Sequence, residues 1–217
     1  MNRISIQKLW KLGRIDKIRN KEWERYKKRK ASRLSNRNFT IIASSCTGTV
    51  MYFDLGLPYL SPTINLLIEQ HDFVKMVENL EWYMNSQIVE LYGDEDYPTG
   101  LLNDIKIHFK HYDSFDQAVS KWEKRKKRIN WDNLFIIGTS YNGDYGVIQR
   151  FDKLPYKNKV IFSPVRYPEF KSVYYVKAFK EKWGVTTDFK NQFLMRRYLD
   201  DFDYVTFLNG TPRCGKA

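Results

Sequence analysis

The stretch Asn38–Thr63, "NFTIIASSCTGTVMYFDLGLPYLSPT", decides how the chain is read. Phe39 to Ala43 is short, apolar and without polar alternation, the pattern of a central parallel strand covered on both faces. It breaks into Ser44, Ser45, Cys46, Thr47 and Gly48. A helix is expected from Thr47 to Leu55, with Gly56 as its stop and Pro58 just beyond. Small hydroxyl and thiol side chains therefore stand at the carboxyl end of a buried strand.

The theme returns downstream. Leu134–Ile137 reads as an apolar strand that runs into Gly138, Thr139, Ser140, Tyr141, Asn142 and Gly143. Lys159–Phe162 reads as another, closing on Ser163-Pro164. Between the opening stretch and Leu134, "HDFVKMVENLEWYMN" puts Phe73, Val74, Val77, Leu80 and Met84 on one helical face, with Asp72 as N-cap. Ile88–Tyr92 reads as a strand, and "DIKIHFKHY" alternates as a half-buried one. "SFDQAVSKWEKRKKRIN" is a helix capped by Ser114, and "DYGVIQRFDKLP" is a helix ended by Pro155. A short helical piece is expected from Pro62 or Thr63, a late helix in "TTDFKNQFLMRRYLDDF", and a last strand in "DYVTFLNGT". Strands alternating with helices give an α/β fold: a mixed, mostly parallel open sheet with helices on both faces.

Charge divides the chain in two. Of 217 residues, 37 are Lys or Arg and 25 are Asp or Glu, for a formal net charge of +12. Residues 1–37 hold 14 of those cations against Asp16, Glu22 and Glu24, so nearly all the excess sits there. The reading is a basic helical arm, residues 1–37, on a nearly neutral α/β domain, residues 38–217. In the arm, Ile4, Ile6, Leu9, Trp10, Leu12, Ile15 and Ile18 fall near helical spacing among Lys and Arg. Such a helix suits the interface of an anionic membrane, where each cation is worth about 1 kcal/mol. A helix packed on the body, or one binding a partner, fits the same pattern. Nucleic acid ranks last, because the body lacks a basic groove and any nucleic-acid fingerprint. No apolar run is long enough to span a bilayer, and no secretory leader is expected. Cys46 and Cys214 read as thiols, and no Cys/His cluster has zinc spacing.

Ligands of open α/β sheets bind outside the carboxyl ends of strands, at a switch in strand order. A helix beginning at Thr47 would turn its positive end toward the same place. Cys46 is the candidate nucleophile, its thiol activated by that helix end. His108 or His111 could supply a base; Asp104 shares a strand face with His108, the preferred candidate, while His111 falls on the other. Ser44, Ser45, Thr47, Ser61, Thr63, His111, Thr139, Ser140 and Asn142 are candidate substrate-binding residues. Asp94 and Asp96, after a strand, could hold a metal on a nucleotide-sugar. Ordinary helix capping by Ser, Thr and Asn explains the same turns without a ligand.

Several stretches together, among them "NFTIIASSC", "LGLPYLSPTINL", "DFVKMVENLEWYM" and the run Tyr97–Trp131, resemble a bacterial family. It is domain-of-unknown-function family nineteen-nineteen, whose members often carry the label exopolysaccharide biosynthesis protein. The resemblance spans roughly Asn38 to Tyr204. It implies an α/β fold and a link to capsule, lipopolysaccharide or exopolysaccharide synthesis. The family pattern matches Cys46, Ser61-Pro62-Thr63, Asp104, His108, His111 and Asp132-Asn133. The chain departs from it at Ser44-Ser45, where relatives carry Asn-Asn, and at Ser140–Gly143.

The resulting expectation is a transferase that modifies a lipid-linked or nascent surface glycan, by acyl transfer in preference to metal-dependent glycosyl transfer. It would be cytoplasmic, peripheral on the inner face of the membrane through residues 1–37, with its cofactor unassigned. A non-catalytic membrane- or glycan-binding module is the rival.

Overall fold

A computed structural model describes residues 20–177, 186–187, 189–191 and 196–210. The apolar-cationic segment Ile4–Ile18 and Cys214 lie outside them. Residues 20–32 form helix α1. Strand β1 is Thr40–Ala43, and α2 runs over Thr47–Leu55. Gly56 ends α2 in the left-handed conformation (φ 63°), and its amide returns to the carbonyls of Phe53 and Tyr52. That is the αL stop glycine supplies without a Cβ penalty.

β1 belongs to a parallel sheet with β6 (Leu134–Thr139), β7 (Asn158–Ser163) and β8 (Val173–Tyr175), in the order β1-β6-β7-β8. Ala43 lies opposite Ile137, and Thr139 opposite Phe162. Alternate residues feed two cores. Ile42, Ile136 and Ile161 meet one, with Phe73, Val74 and Val77 of α3 (Gln70–Glu78) and Val147, Ile148 and Phe151 of α6 (Tyr145–Lys153). Phe39, Ile41, Phe135, Ile137, Val160 and Phe162 meet the other, with Met51, Tyr52 and Leu55 of α2 and Val205 and Leu208 of α7 (Tyr204–Leu208). Helices therefore cover both faces, as the alternation of elements implies.

β1 is an edge strand, not a central one. Its burial at 0 % exposure from Thr40 to Ala43 comes from what closes that edge. The amide of Ile41 donates to the Tyr52 hydroxyl at 3.0 Å, and that hydroxyl donates to the Phe39 carbonyl at 3.1 Å. The amide of Ala43 donates to Thr63 Oγ1 at 2.9 Å. An unsatisfied buried amide costs about 1–3 kcal/mol, so side-chain oxygens stand in for a missing strand. α2 lies close on β1, since a Cβ on Gly48 would sit 3.0 Å from Ile41 Cγ2 and 3.1 Å from Ala43 Cβ.

The remaining long strands form a second, antiparallel sheet, β2-β5-β4-β3. Its members are β2 (Leu67–Ile68), β3 (Ile88–Leu91), β4 (Thr99–Leu102) and β5 (Ile105–His108). Ile105 and Ile107 are buried while Lys106 and His108 are half-buried, the alternation read in the sequence. The Ile68 amide donates to the Ser44 carbonyl at 2.8 Å, so β2 joins this sheet to the end of β1. α5 (Phe115–Lys126) is capped by Ser114 as expected, with Oγ accepting from the Gln117 amide.

Other expectations are corrected. Residues from Pro62 lead into β2 and form no helix. Glu69, not Asp72, precedes α3, while the Asp72 carboxylate accepts from the Lys106 amide at 2.9 Å and ties α3 to β5. The helical run breaks at Asn79 into α3 and α4 (Leu80–Met84). In place of the late helix, β9 (Phe189–Asn191) pairs antiparallel with β10 (Arg196–Arg197), followed by a 3-10 turn over Tyr198–Asp201. Arg197 is drawn from a helical course by the carboxylates of Asp54 and Asp200. The expected last strand is α7, which Asp203 caps by accepting from the Thr206 amide at 3.3 Å.

Candidate functional site

A cleft of about 350 Å³ opens where β1 and β6 end. Ser45 and Cys46, following β1, form one wall. Tyr141, following β6, forms another. Leu67 of β2 with its neighbours Leu66 and Glu69, and Lys110 and His111, beyond β5, complete it with Thr187. The volume falls in the range of small-ligand pockets, about 300–1,000 Å³. The strand order shows no reversal, so this is not a switch-point crevice. It exists because the antiparallel sheet is hung from the Ser44 carbonyl and faces the carboxyl ends of the parallel strands.

Cys46 is the N-cap residue of α2, and its carbonyl accepts the first helical bond from the Val50 amide at 3.0 Å. The thiol is free and half-buried. Burial pushes its pKa up; the nearby Lys110 ammonium pulls the other way without reversing the shift. The expected activation by the helix end does not prevail, because desolvation of the thiolate outweighs it. Beside the thiol, burial also raises the Tyr141 hydroxyl, with the negative charges of Glu69 and Cys46 adding to it.

The structure does not bring Asp104 together with His108. Asp104 accepts from the Tyr83 hydroxyl at 2.7 Å and pairs with Lys75, on the outer side of α3. Those two donors hold its pKa low. His108 Nδ1 lies 3.4 Å from the Tyr97 hydroxyl. Burial, then Lys106, depresses its pKa. Neither residue lines the cleft. His111 does, because β5 ends at His108 and the turn beyond it, closed by Tyr112 N to Phe109 O at 3.2 Å, leaves the strand alternation. Strand geometry alone gave His111 to the face opposite His108 and did not place it in one cleft with Cys46.

The other candidates divide between the cleft and its support. Ser45 lines the cleft and bonds Thr47 Oγ1 at 3.0 Å; Thr47 in turn bonds the Thr186 hydroxyl. Ser61 and Thr63 bond each other at 3.1 Å and are fully buried on the edge of β1, which gives them a structural task in place of substrate contact. Ser140 Oγ accepts from the Asp144 amide at 3.0 Å, and Asn142 Oδ1 accepts from the same amide at 3.1 Å and from Gln70 at 3.0 Å. Both shape the entry to α6. Ser44 and Thr139 are buried at the strand ends, and their hydroxyls have no partner among the described residues. Asp94 and Asp96 lie in the β3–β4 turn, where Glu95 pairs with Lys106, and none of them lines the cleft. Among the described residues no three His, Cys, Asp or Glu side chains gather for a metal.

Fold and cleft define an α/β protein with a thiol-bearing site at the carboxyl ends of its parallel strands. The chain belongs to the family described as Domain of unknown function (DUF1919), which matches residues 17–209. It is also similar to an uncharacterised protein of Haemophilus influenzae (strain Rd), with 39% identity over 179 residues, covering 82% of this chain and 87% of that protein. Among the described residues no helix is long and apolar enough to cross a membrane.

Proposed function

We propose that the protein is a transferase acting on a surface glycan, in which Cys46 carries an acyl group and His111 serves as base. The observation that supports this reading is that Cys46, Lys110 and His111 line one cleft. A thiol whose pKa is raised by burial needs a base to take its proton as it attacks. In the proposed first step the imidazole of His111 accepts the Cys46 proton and the sulfur attacks the acyl carbonyl of a donor thioester. A thioester forms on Cys46, and the donor's thiol leaves with the proton. A glycan hydroxyl then attacks that thioester, gives its proton to His111, and returns the free thiol. The Lys110 ammonium stabilises the negative charge that develops at sulfur and oxygen. Ser45, Glu69 and Tyr141 supply the groups that would orient sugar hydroxyls.

The acceptor class is taken from the likeness to exopolysaccharide biosynthesis proteins, and the inner face of the cell membrane from the basic arm. Turnover with acyl-coenzyme A and a capsule glycan, measured for wild type, Cys46→Ala and His111→Ala, tests the assignment. The proposal expects both variants to lose activity. Undiminished turnover in either would remove that residue from the mechanism. Co-sedimentation with liposomes, with and without anionic lipid, tests the location.

A non-catalytic glycan-binding module is the second reading, favoured by the raised pKa of Cys46. It expects glycan binding without turnover of any donor, unchanged by Cys46→Ala.

A further inference from the structure

A second, larger recess of about 620 Å³ lies at the other end of the parallel sheet. Its walls come from the α3–α4 junction, from the turn before β6, and from the segment before β7. Two indoles line it, Trp82 at 56 % exposure and Trp131 at 46 %. Leaving two tryptophans this open forgoes a large burial term, because aromatic side chains offer 150–250 Å² of surface each. The other exposed aromatics among the described residues, Phe53, Tyr92 and Tyr145, do not line this recess.

Both indoles are held by rigid backbone. The turn bearing Trp131 is pinned on either side. The Asn130 amide donates to Thr40 Oγ1 at 2.8 Å, and Asn133 Nδ2 donates to the Asn38 carbonyl at 2.8 Å. Trp82 packs edge-to-face on Tyr83 with centroids 4.7 Å apart, and its carbonyl accepts from Ser86 Oγ at 2.9 Å. The Tyr156 hydroxyl donates to the Val77 carbonyl at 2.7 Å and fixes the segment before β7 on α3. A fixed backbone beneath both indoles lowers the ordering cost of binding.

The polar lining is hydrogen-bonding but not cationic. Asn79 and Asn85 line the recess, and their side-chain amides make no hydrogen bond among the described residues. Glu81 lines it without an ion-pair partner among the described residues, whereas Glu78 is engaged by Arg150 at 2.6 Å. A free carboxylate and no lysine or arginine in the wall disfavour a phosphate or another anion. The aliphatic lining is limited to Leu80 and Leu134.

Indole faces flanked by amide and carboxylate groups match the chemistry of a pyranose. Its C–H face packs on an aromatic ring while its equatorial hydroxyls give and take hydrogen bonds. We infer that this recess is a binding site for a neutral oligosaccharide, with Trp82 and Trp131 as stacking platforms and Asn79, Asn85 and Glu81 as hydroxyl partners. It shares with the proposed function only the class of ligand, and it needs neither Cys46 nor His111.

The test is a nuclear magnetic resonance titration of the full chain with two neutral probes, maltoheptaose and cellohexaose. Indole N–H signals are assigned through Trp82→Phe and Trp131→Phe. The inference expects saturable shifts at those two indoles with at least one probe. It expects affinity at least tenfold weaker in Trp82→Ala and in Trp131→Ala, both with wild-type melting curves. Tyr92→Ala, an exposed aromatic away from the recess, serves as the control and keeps full affinity. Should a tryptophan variant fail to fold, Asn85→Ala, at an exposed helix end, replaces it with the same expectation of weakened binding. Shifts confined to other residues, or none with either probe, overturn the inference. Shifts of the same indoles with a neutral detergent below its micelle concentration but with neither sugar also overturn it. Binding retained in Cys46→Ala separates this site from the cleft, so failure of one proposal does not decide the other.

Discussion

The amide of Ala43 donates to Oγ1 of Thr63 across 2.9 Å, at the outer edge of the parallel sheet and one residue before the turn that carries the candidate site. Thr63 is fully buried, so no water can replace it. Thr63→Val keeps the shape and removes the acceptor. It is expected to cost about 1–3 kcal/mol, the price of a buried amide left unpaired. Thr63→Ser keeps the oxygen and is expected to cost clearly less. Urea melts of the two variants check the difference.

Arg197 and Asp54 form an ion pair with side chains 6 % and 0 % exposed, and Tyr204 adds a hydrogen bond to the same carboxylate at 2.8 Å. Removing one member leaves a charge buried and uncompensated, which costs about 3–5 kcal/mol. Arg197→Met is expected to lose stability on that scale in denaturant unfolding, because it leaves Asp54 without its cation and Asp200 with Lys30 in place of two cations. Arg197→Lys is expected to recover only part, since a lysine cannot span two carboxylates with a planar fork.

Asp200 sets an acid limit. Burial on its own would raise its pKa, but Arg197 and then Lys30 hold it from an ordinary 3.8 down to about 2. A carboxylate depressed in the folded state lends stability that is fully present above its unfolded pKa and lost as pH falls through its folded pKa. The melting temperature is therefore expected to drop between about pH 4 and pH 2. Asp200→Asn is expected to be less stable at pH 7 and to show a flatter profile across that window. Thermal melts in a pH series measure both.

Alkylation of Cys46 reads its electrostatics directly. Its pKa is above the ordinary 9.0 through burial, with Lys110 opposing. Iodoacetamide is expected to react slowly at pH 7, with a rate that keeps climbing past pH 9. Lys110→Ala removes the cation that favours the thiolate, so its rate at pH 8.5 is expected to fall severalfold. Mass spectrometry of the Cys46 peptide over time follows the rate.

Local signals in the sequence carried much of the fold. The apolar runs gave β1, β6 and β7, Gly56 and Pro58 marked the end of α2, and strict alternation gave β5. What they could not carry was partnership. Phe39–Ala43 is as apolar as a central strand, yet it is an edge whose second neighbour is replaced by Tyr52 and Thr63. "DYVTFLNGT" is rich in strand-forming residues, yet Asp203 caps it as a helix that buries Val205 and Leu208 against the sheet. Cys46 was legible as a site residue from its place after β1. His111 was also a candidate, but its place beside Cys46 in preference to His108 was not legible, because strand periodicity holds only to His108 and the turn beyond it has no sequence period. Asp104 and His108 share a strand face in the pattern, but Lys75 and Tyr83 claim the carboxylate.

Helix α1 carries its cations in two populations. Lys30 is paired with Asp200 and Arg33, just past the helix, with Asp203, while Arg25 and Lys27 are matched by Glu22 and Glu24 one turn earlier. Lys21, Lys28 and Arg29 have no carboxylate partner among the described residues. A polyanion approaching this stretch meets three uncommitted charges out of seven, so counter-ion release from this segment would give a gentler salt slope than its composition suggests.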